Sequence, residues 1–222
     1  MPEYVVEFGT SAGEPDDSDR RDAAAFHRNH APIWAVLSGF LKDKSGDVLE
    51  LGSGTGQHVV EFARQSPAIT WWPSDTIDSH LRSIAAWRAH AGLANVRAPI
   101  RIDLADHARP WTTPGLPEQF LGVVCANVIH IAPWPVALGL FALAGKRLKP
   151  DGRLFLYGPF MRDGSHTAPS NADFDASLRE RDPSWGVRDI ADVTAAAAAE
   201  GLQPVDTVAM PANNMMLVFA RA

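Results

Sequence analysis

The sequence predicts a doubly wound α/β fold in which a mostly parallel seven-stranded sheet ends in an antiparallel hairpin. Three observations predict it. Short apolar runs of strand length alternate with helical stretches along most of the chain, the signature of a parallel sheet covered on both faces. The first such run leads straight into a glycine-rich turn, "ELGSGTGQH". The last two runs are joined only by "PANN", a connection short enough to permit only an antiparallel pair. A length of 222 residues suits one core and is short for two ordinary domains. Residues 20–222 therefore read as a single domain behind a mobile N-terminal arm, residues 1–19.

The arm contains "GTSAGEPDDSD", a polar stretch of turn formers that cannot bury a core. Its place before the first helix suits a lid. From Arg20 to Leu41, Ala23, Phe26, His30, Ile33, Trp34, Val36, Leu37 and Leu41 recur at helical spacing, with an irregularity expected at Pro32. Strands are expected over 47–51, 69–72, 99–102, 122–126 and 153–157, and helices over 58–64, 79–91 and 135–148. Pro150 to Gly152 should set a tight reversal before the fifth strand. "VRDIADVTAAAAAEGL" reads as a further helix, and "QPVDTVAM" and "NNMMLVFARA" as the closing strands.

Composition narrows the function. A net charge of -6 with Lys and Arg evenly spread argues against a nucleic-acid partner, which would need a basic face. The lone cysteine, Cys125, lies in an apolar run and reads as a buried thiol, with neither a disulfide framework nor a cysteine-rich metal site. The acidic first twenty residues hold no apolar segment for export or membrane anchoring, so a soluble, cytoplasmic protein is expected. His27, His30 and His166 lack partners at metal-ligand spacing, and no metal is expected.

The glycine turn carries the chemistry. Glycines at 52, 54 and 56, with Gln57 following, do not match the dinucleotide spacing, and no Gly-Lys-Ser/Thr follows for a phosphate loop. Glu50 at the entrance would repel phosphate. It suits a ligand with positive charge or exposed donors, and S-adenosylmethionine has an ammonium, a sulfonium and a ribose. Asp75, about 20 residues beyond the turn, stands where an acid can take ribose hydroxyls.

The run Glu50-Leu-Gly-Ser-Gly-Thr-Gly56 resembles the first motif of class I methyltransferases, whose sheet is Rossmann-like. That resemblance implies a cofactor site of Glu50, Gly52, Ser53, Gly54 and Gly56, with the acid on the cofactor's ammonium; His58, early in the helix that follows, lines the cofactor pocket or the surface. It implies adenine contacts for Asp103 and Leu104 after the third strand, and it places Asn127 near the cofactor. The N-terminal helix commonly covers the cofactor in that family, where Arg28 could pair with the methionyl carboxylate; otherwise Arg28 and Asn29 face solvent. "LKPDGRLFLYG" also resembles the family's turn into its fifth strand. Across nearly the whole chain, "FHRNHAPI", "NVIHIAPW", "LYGPF", "SNADFDASLRERDPSWGVRD" and "MPANN" are similar to domain of unknown function 938, the methyltransferase-like protein 26 family. This resemblance supports the cofactor and leaves the substrate open.

In class I topology "ANVIHIAPW" leaves the fourth strand at the point where the winding reverses. His130 is then the candidate base, since an imidazole titrates near neutral pH; its alternative is a loop histidine bonded to backbone. Asn127 either orients the acceptor or caps the next helix. The loop after the fifth strand and the final hairpin should roof the acceptor through Tyr157, Phe160, Ser170, Asn171, Trp185, Arg188, Asn213 and Asn214. For Trp185 the alternative is core packing; for Asn213 and Asn214 it is a turn needing positive φ. The expected activity is methyl transfer from S-adenosylmethionine, leaving S-adenosylhomocysteine, to a small-molecule acceptor. A non-catalytic cofactor-binding scaffold is the alternative, and a nicotinamide-dependent oxidoreductase is disfavoured by the glycine spacing.

Overall fold

The computed structural model describes residues 10–11, 19–106 and 115–222. Of the expected arm, all but Thr10, Ser11 and Asp19 lies outside the described residues. Contacts divide the described chain into two compact units, one up to Ile102 and one from Asp103 onward. They supply three and four strands of a mostly parallel seven-stranded sheet.

In the first unit β1 (Thr10–Ser11) pairs antiparallel with β2 (Arg21–Asp22), and α1 follows over Ala24–Leu41. The helix expected from Arg20 thus starts later. The Arg21 amide donates to Ser83 Oγ at 2.9 Å and the Ala23 amide to Gln57 Oε1 at 2.8 Å, so these residues are held extended by partners that helical bonds cannot displace. Asn29, Ile33, Leu37 and Leu41 form the buried stripe of α1, four residues apart as one helix face requires, and the helix continues through Pro32. Strands β3 (Gly46–Leu51), β4 (Ile69–Asp75) and β5 (Ile100–Arg101) run parallel in that order, joined through α2 (Gln57–Gln65) and α3 (Asp78–Ala91). The Asn95 amide braces their start by donating to the carbonyls of Ala63, Ser66 and Ile69.

The second unit orders its strands β11-β12-β7-β6, with β6 at Phe120–Ala126, β7 at Leu148–Gly158, β11 at Leu202–Met210 and β12 at Asn214–Arg221. Strands β6 and β7 are parallel; β12 pairs antiparallel with both β7 and β11. The closing hairpin is thus as expected. Pairing jumps from Phe120↔Leu148 to Gly122↔Arg153, so the reversal expected at Pro150 to Gly152 is a bulge within a longer strand. Cys125 is buried.

The segment after β7, expected as a loop, holds a small sheet and a helix. Strands β8 (Phe160–Arg162), β9 (Ser165–His166) and β10 (Arg188–Asp189) pair in the order β10-β8-β9, and α5 spans Pro169–Arg181. The buried stripe of α5 is Asn171, Asp175 and Leu178. Two of these are polar, so hydrophobic periodicity could not reveal the helix.

α4 (Trp134–Arg147) buries Val136, Ala137, Leu140, Phe141, Leu143 and Ala144, and packs on α6 (Ile190–Ala199). Their approach depends on Gly145, where a Cβ would lie 2.2 Å from the Glu200 carbonyl oxygen. Backbone cannot step aside as a side chain can, so Gly145→Ala is expected to destabilise the fold by about 1–3 kcal/mol, read as a lowered urea midpoint at unchanged slope.

Candidate functional site

In the first unit the turn after β3 is built on left-handed backbone: φ is 66° at Gly52, 56° at Gly54 and 87° at Gly56, values that glycine adopts without Cβ penalty. Gly56 has a second constraint. A Cβ there would sit 2.8 Å from the Ile84 Cα, so α3 closes against it. A Cβ on Gly54 would meet nothing within 4 Å, which leaves open ground beside the turn. The Ser53 amide donates to the Ser74 carbonyl at 2.8 Å, and the Ser74 hydroxyl donates to the Glu50 carbonyl at 2.7 Å, tying the turn to the end of β4.

Asp75 fastens the same turn. Its Oδ2 accepts from the Gly54 amide at 2.9 Å, and its Oδ1 accepts from the amides of Thr76 at 2.8 Å and Ile77 at 3.0 Å, with His80 Nδ1 at 3.3 Å. This bracing role was not read from the sequence. Glu50 is buried, and its Oε2 has no hydrogen-bond partner among the described residues. Burial pushes its carboxyl up to about 7, hydrogen bonding by Ser53 opposing the rise and the Asp75 charge adding to it. A buried, partnerless carboxylate oxygen costs free energy in the isolated protein. A cationic donor relieves that cost, and an α-ammonium group fits this donor set.

Gln57, which broke the dinucleotide pattern, has a positive role. Its Oε1 accepts from the Ala23 amide and, at 3.0 Å, from the Thr55 hydroxyl, while its Nε2 donates to Asp22 Oδ1 at 2.7 Å. Ser83 completes the clasp by donating to the Thr55 carbonyl at 2.7 Å. The sequence reading missed both residues; the only signal was the non-glycine after Gly56. His58 turns to α1, its Nε2 2.7 Å from Asn29 Oδ1 and its ring against Phe26 and Phe62. Burial, with His30 nearby, pushes His58 down to about 4, so it is neutral at physiological pH. Asn29 is buried, while Arg28 is exposed.

In the second unit Asp103 Oδ1 accepts from the Ala105 amide at 2.9 Å, and Leu104 is buried. Asn127, the first residue past β6, is left-handed at φ 58° and donates its amide to the Tyr157 carbonyl at 2.8 Å. His130 is 1% exposed, and neither ring nitrogen has a partner among the described residues. Its carbonyl accepts from the Gly186 amide at 2.9 Å, and its ring stands edge-on to Phe160 at 5.1 Å. Burial, together with the Arg188 charge, pushes the imidazole down to about 3 against the opposing pull of Asp175.

Gly158 makes this placement possible. A Cβ at 158 would lie 2.3 Å from His130 Nε2 and 3.5 Å from Asn127 Oδ1, so the end of β7 brings the two candidate catalytic side chains together. Arg188 fastens the His130 loop, donating to the carbonyls of Ile129 at 3.0 Å, Ala132 at 2.7 Å and Ser184 at 2.8 Å. Tyr157 and Trp185 are buried, and Trp185 Nε1 has no partner among the described residues.

Asn213 and Asn214 border a separate cavity of about 250 Å³ together with Arg162, Thr167, Thr207 and Met215. Asn213, like Ala212 before it, has positive φ, whereas Asn214 is extended at φ -86°, so the expected left-handed turn holds for Asn213 and not for Asn214. Asn171 locks that turn by donating to the Asn213 carbonyl and to Thr167 Oγ1, both at 3.0 Å, and Asn213 Nδ2 donates to Ser170 Oγ at 3.2 Å. Arg162 was not singled out in the sequence, since one exposed arginine gives no pattern.

Residues 20–221 match the family model described as "Protein of unknown function (DUF938)". The chain belongs to the DUF938 family. This DUF938 chain is also similar to solved structures. An O-methyltransferase family protein from Burkholderia thailandensis matches at TM-score 0.74 and 18% identity, over 89% of this chain and 57% of that one. The S-adenosylmethionine-dependent methyltransferase SibL matches at TM-score 0.69 and 21% identity, over 89% and 56%. An O-methyltransferase family 2 protein from Planctomyces limnophilus, in complex with apigenin, matches at TM-score 0.65 and 16% identity, over 87% and 62%. The DUF938 chain therefore has a class I methyltransferase-like fold and spans little more than half the length of these structures. No helix among its described residues is long and apolar enough to cross a membrane.

Proposed function

We propose that this protein is an S-adenosylmethionine-dependent methyltransferase acting on the hydroxyl of a small-molecule acceptor, with residues 20–222 as one catalytic domain. The observation that carries this reading is the buried Oε2 of Glu50, without a partner among the described residues, beside a turn of left-handed glycines. The O-methyltransferase names of similar structures support it. The acidic balance favours a small acceptor over nucleic acid.

When bound, S-adenosylmethionine supplies a methyl group on a cationic sulfur whose departure as a neutral thioether needs little assistance. Glu50 takes the ammonium, the backbone at Gly52 and Gly54 admits close approach, and Ser53 and Gly56 hold the turn's shape. Asp75 braces the turn and offers remaining lone pairs to the ribose, with Asp103 and Leu104 assigned to the adenine and Arg28 to the carboxylate. His130 is uncharged at neutral pH, so a ring nitrogen accepts the hydrogen bond of the acceptor hydroxyl and orients it; with the imidazole held down near 3 it is a weak base, and the hydroxyl's proton passes on to solvent as the new C–O bond forms. Asn127 orients the same hydroxyl, and the protein otherwise aligns the reactants and excludes water.

Calorimetric titration with S-adenosylmethionine and S-adenosylhomocysteine tests the reading. Micromolar binding is expected for the wild type, weakened in Asp75→Ala because the Gly54 amide loses its anchor. Folded protein that binds neither ligand would exclude the assignment; binding without turnover across a broad panel of hydroxyl acceptors would favour a non-catalytic cofactor-binding role.

A further inference from the structure

The cavity beneath the closing hairpin has the chemistry of an anion site. Arg162 is the only cation among its lining residues and makes no ion pair among the described residues. Thr167, Thr207, Asn213 and Asn214 line the same cavity, and Met215 adds an apolar wall. The turn above is held in a costly conformation: Ala212 and Asn213 are left-handed at φ 56° and 59°, and an alanine there is disfavoured by about 1 kcal/mol. Asn171, itself buried, holds the turn in place through two hydrogen bonds. Strain fixed by a buried polar brace gives the cavity a preformed rim.

Its position links it to the imidazole. Met215 pairs with Gly158 across β12 and β7, and Gly158 is the residue whose missing Cβ accommodates His130 Nε2. Adjacent strands are about 5 Å apart, so the cavity wall stands one strand from the glycine that packs on His130.

We propose that this cavity anchors the methyl acceptor and that the acceptor carries a carboxylate, gripped by Arg162. The guanidinium fork matches a carboxylate in two parallel hydrogen bonds. One cation suits a monoanion, whereas a phosphate dianion calls for a second. The inference rests on the methyltransferase reading and adds the class of acceptor to it.

The test uses the full chain loaded with S-adenosylhomocysteine and a matched pair of probes: protocatechuate, and catechol, which lacks only the carboxylate. Calorimetry should show protocatechuate binding at least about tenfold more tightly, the worth of a charged hydrogen-bonded pair. Arg162→Gln should abolish that difference and Arg162→Lys should retain part of it, with S-adenosylhomocysteine affinity and melting temperature unchanged. With S-adenosylmethionine present, the same preference should appear in KM for protocatechuate while kcat changes little in Arg162→Gln. Equal binding of the two probes, no saturable protocatechuate binding at millimolar concentration, or a preference that survives Arg162→Gln would overturn the carboxylate anchor. Because cofactor affinity is measured in the same samples, loss of the anchor with retained cofactor binding is distinguishable from failure of the methyltransferase reading.

Discussion

Replacing Glu50 by Gln is expected to weaken S-adenosylmethionine binding about a hundredfold, the loss of a buried, charge-assisted hydrogen bond, while making the cofactor-free protein more stable in alkaline solution. The two effects share one cause. Glu50 moves from its ordinary value of 4.5 to about 7 because it is buried, so between those pH values the native chain binds more protons than the unfolded one. Stability therefore falls as pH rises through this window, by roughly 3 kcal/mol once both states are ionised. Glutamine removes the buried charge and with it this slope. The cofactor's ammonium favours the ionised carboxylate, so its binding to the wild type expels a proton on the acid side of neutrality. Calorimetry in buffers of different ionisation heat should detect that proton in the wild type and miss it in Glu50→Gln. An apo-protein whose melting temperature in alkali is unchanged by the substitution would contradict the origin assigned to this effect.

The parts of this arrangement that were legible in the sequence are those with local signatures. Alternating apolar runs declared the α/β fold, and the short "PANN" link required the antiparallel hairpin, because both depend on spacing along the chain. Glu50 and the glycines were legible for the same reason. Gln57, Ser83 and Gly158 were not. Gln57 matters because it reaches Asp22, 35 positions away, and Gly158 because the His130 ring lies where its Cβ would be. Neither relation has a pattern in sequence. The helix Pro169–Arg181 escaped notice because its inward face is Asn171 and Asp175 as well as Leu178, so burial there follows hydrogen bonding and not hydropathy. His130 was legible as a residue but not as an environment: an imidazole assumed to titrate near neutrality is pushed down to about 3 by burial and Arg188.

That environment sets the second large effect. His130→Ala is expected to lower kcat about a hundredfold, the cost of an acceptor hydroxyl no longer held in place, with S-adenosylhomocysteine affinity unchanged. Gly158→Ala should reproduce much of this loss with the imidazole still present. Its new methyl would occupy a point 2.3 Å from Nε2, and a buried ring cannot yield without leaving its place. A cost of about 1–3 kcal/mol in stability accompanies such overpacking, so the variant should remain folded at low temperature, where turnover can be compared. The pH profile reads whether this imidazole titrates. The folded imidazole is depressed below its ordinary 6.5 to about 3, so kcat should show no acid limb near 6.5. The fall on acidification should appear in kcat/KM for S-adenosylmethionine, near 7, where Glu50 gains its proton. A kcat limb near 6.5 that vanishes in His130→Gln would place a titrating imidazole there. The burial of His130 would then be relieved in the working enzyme.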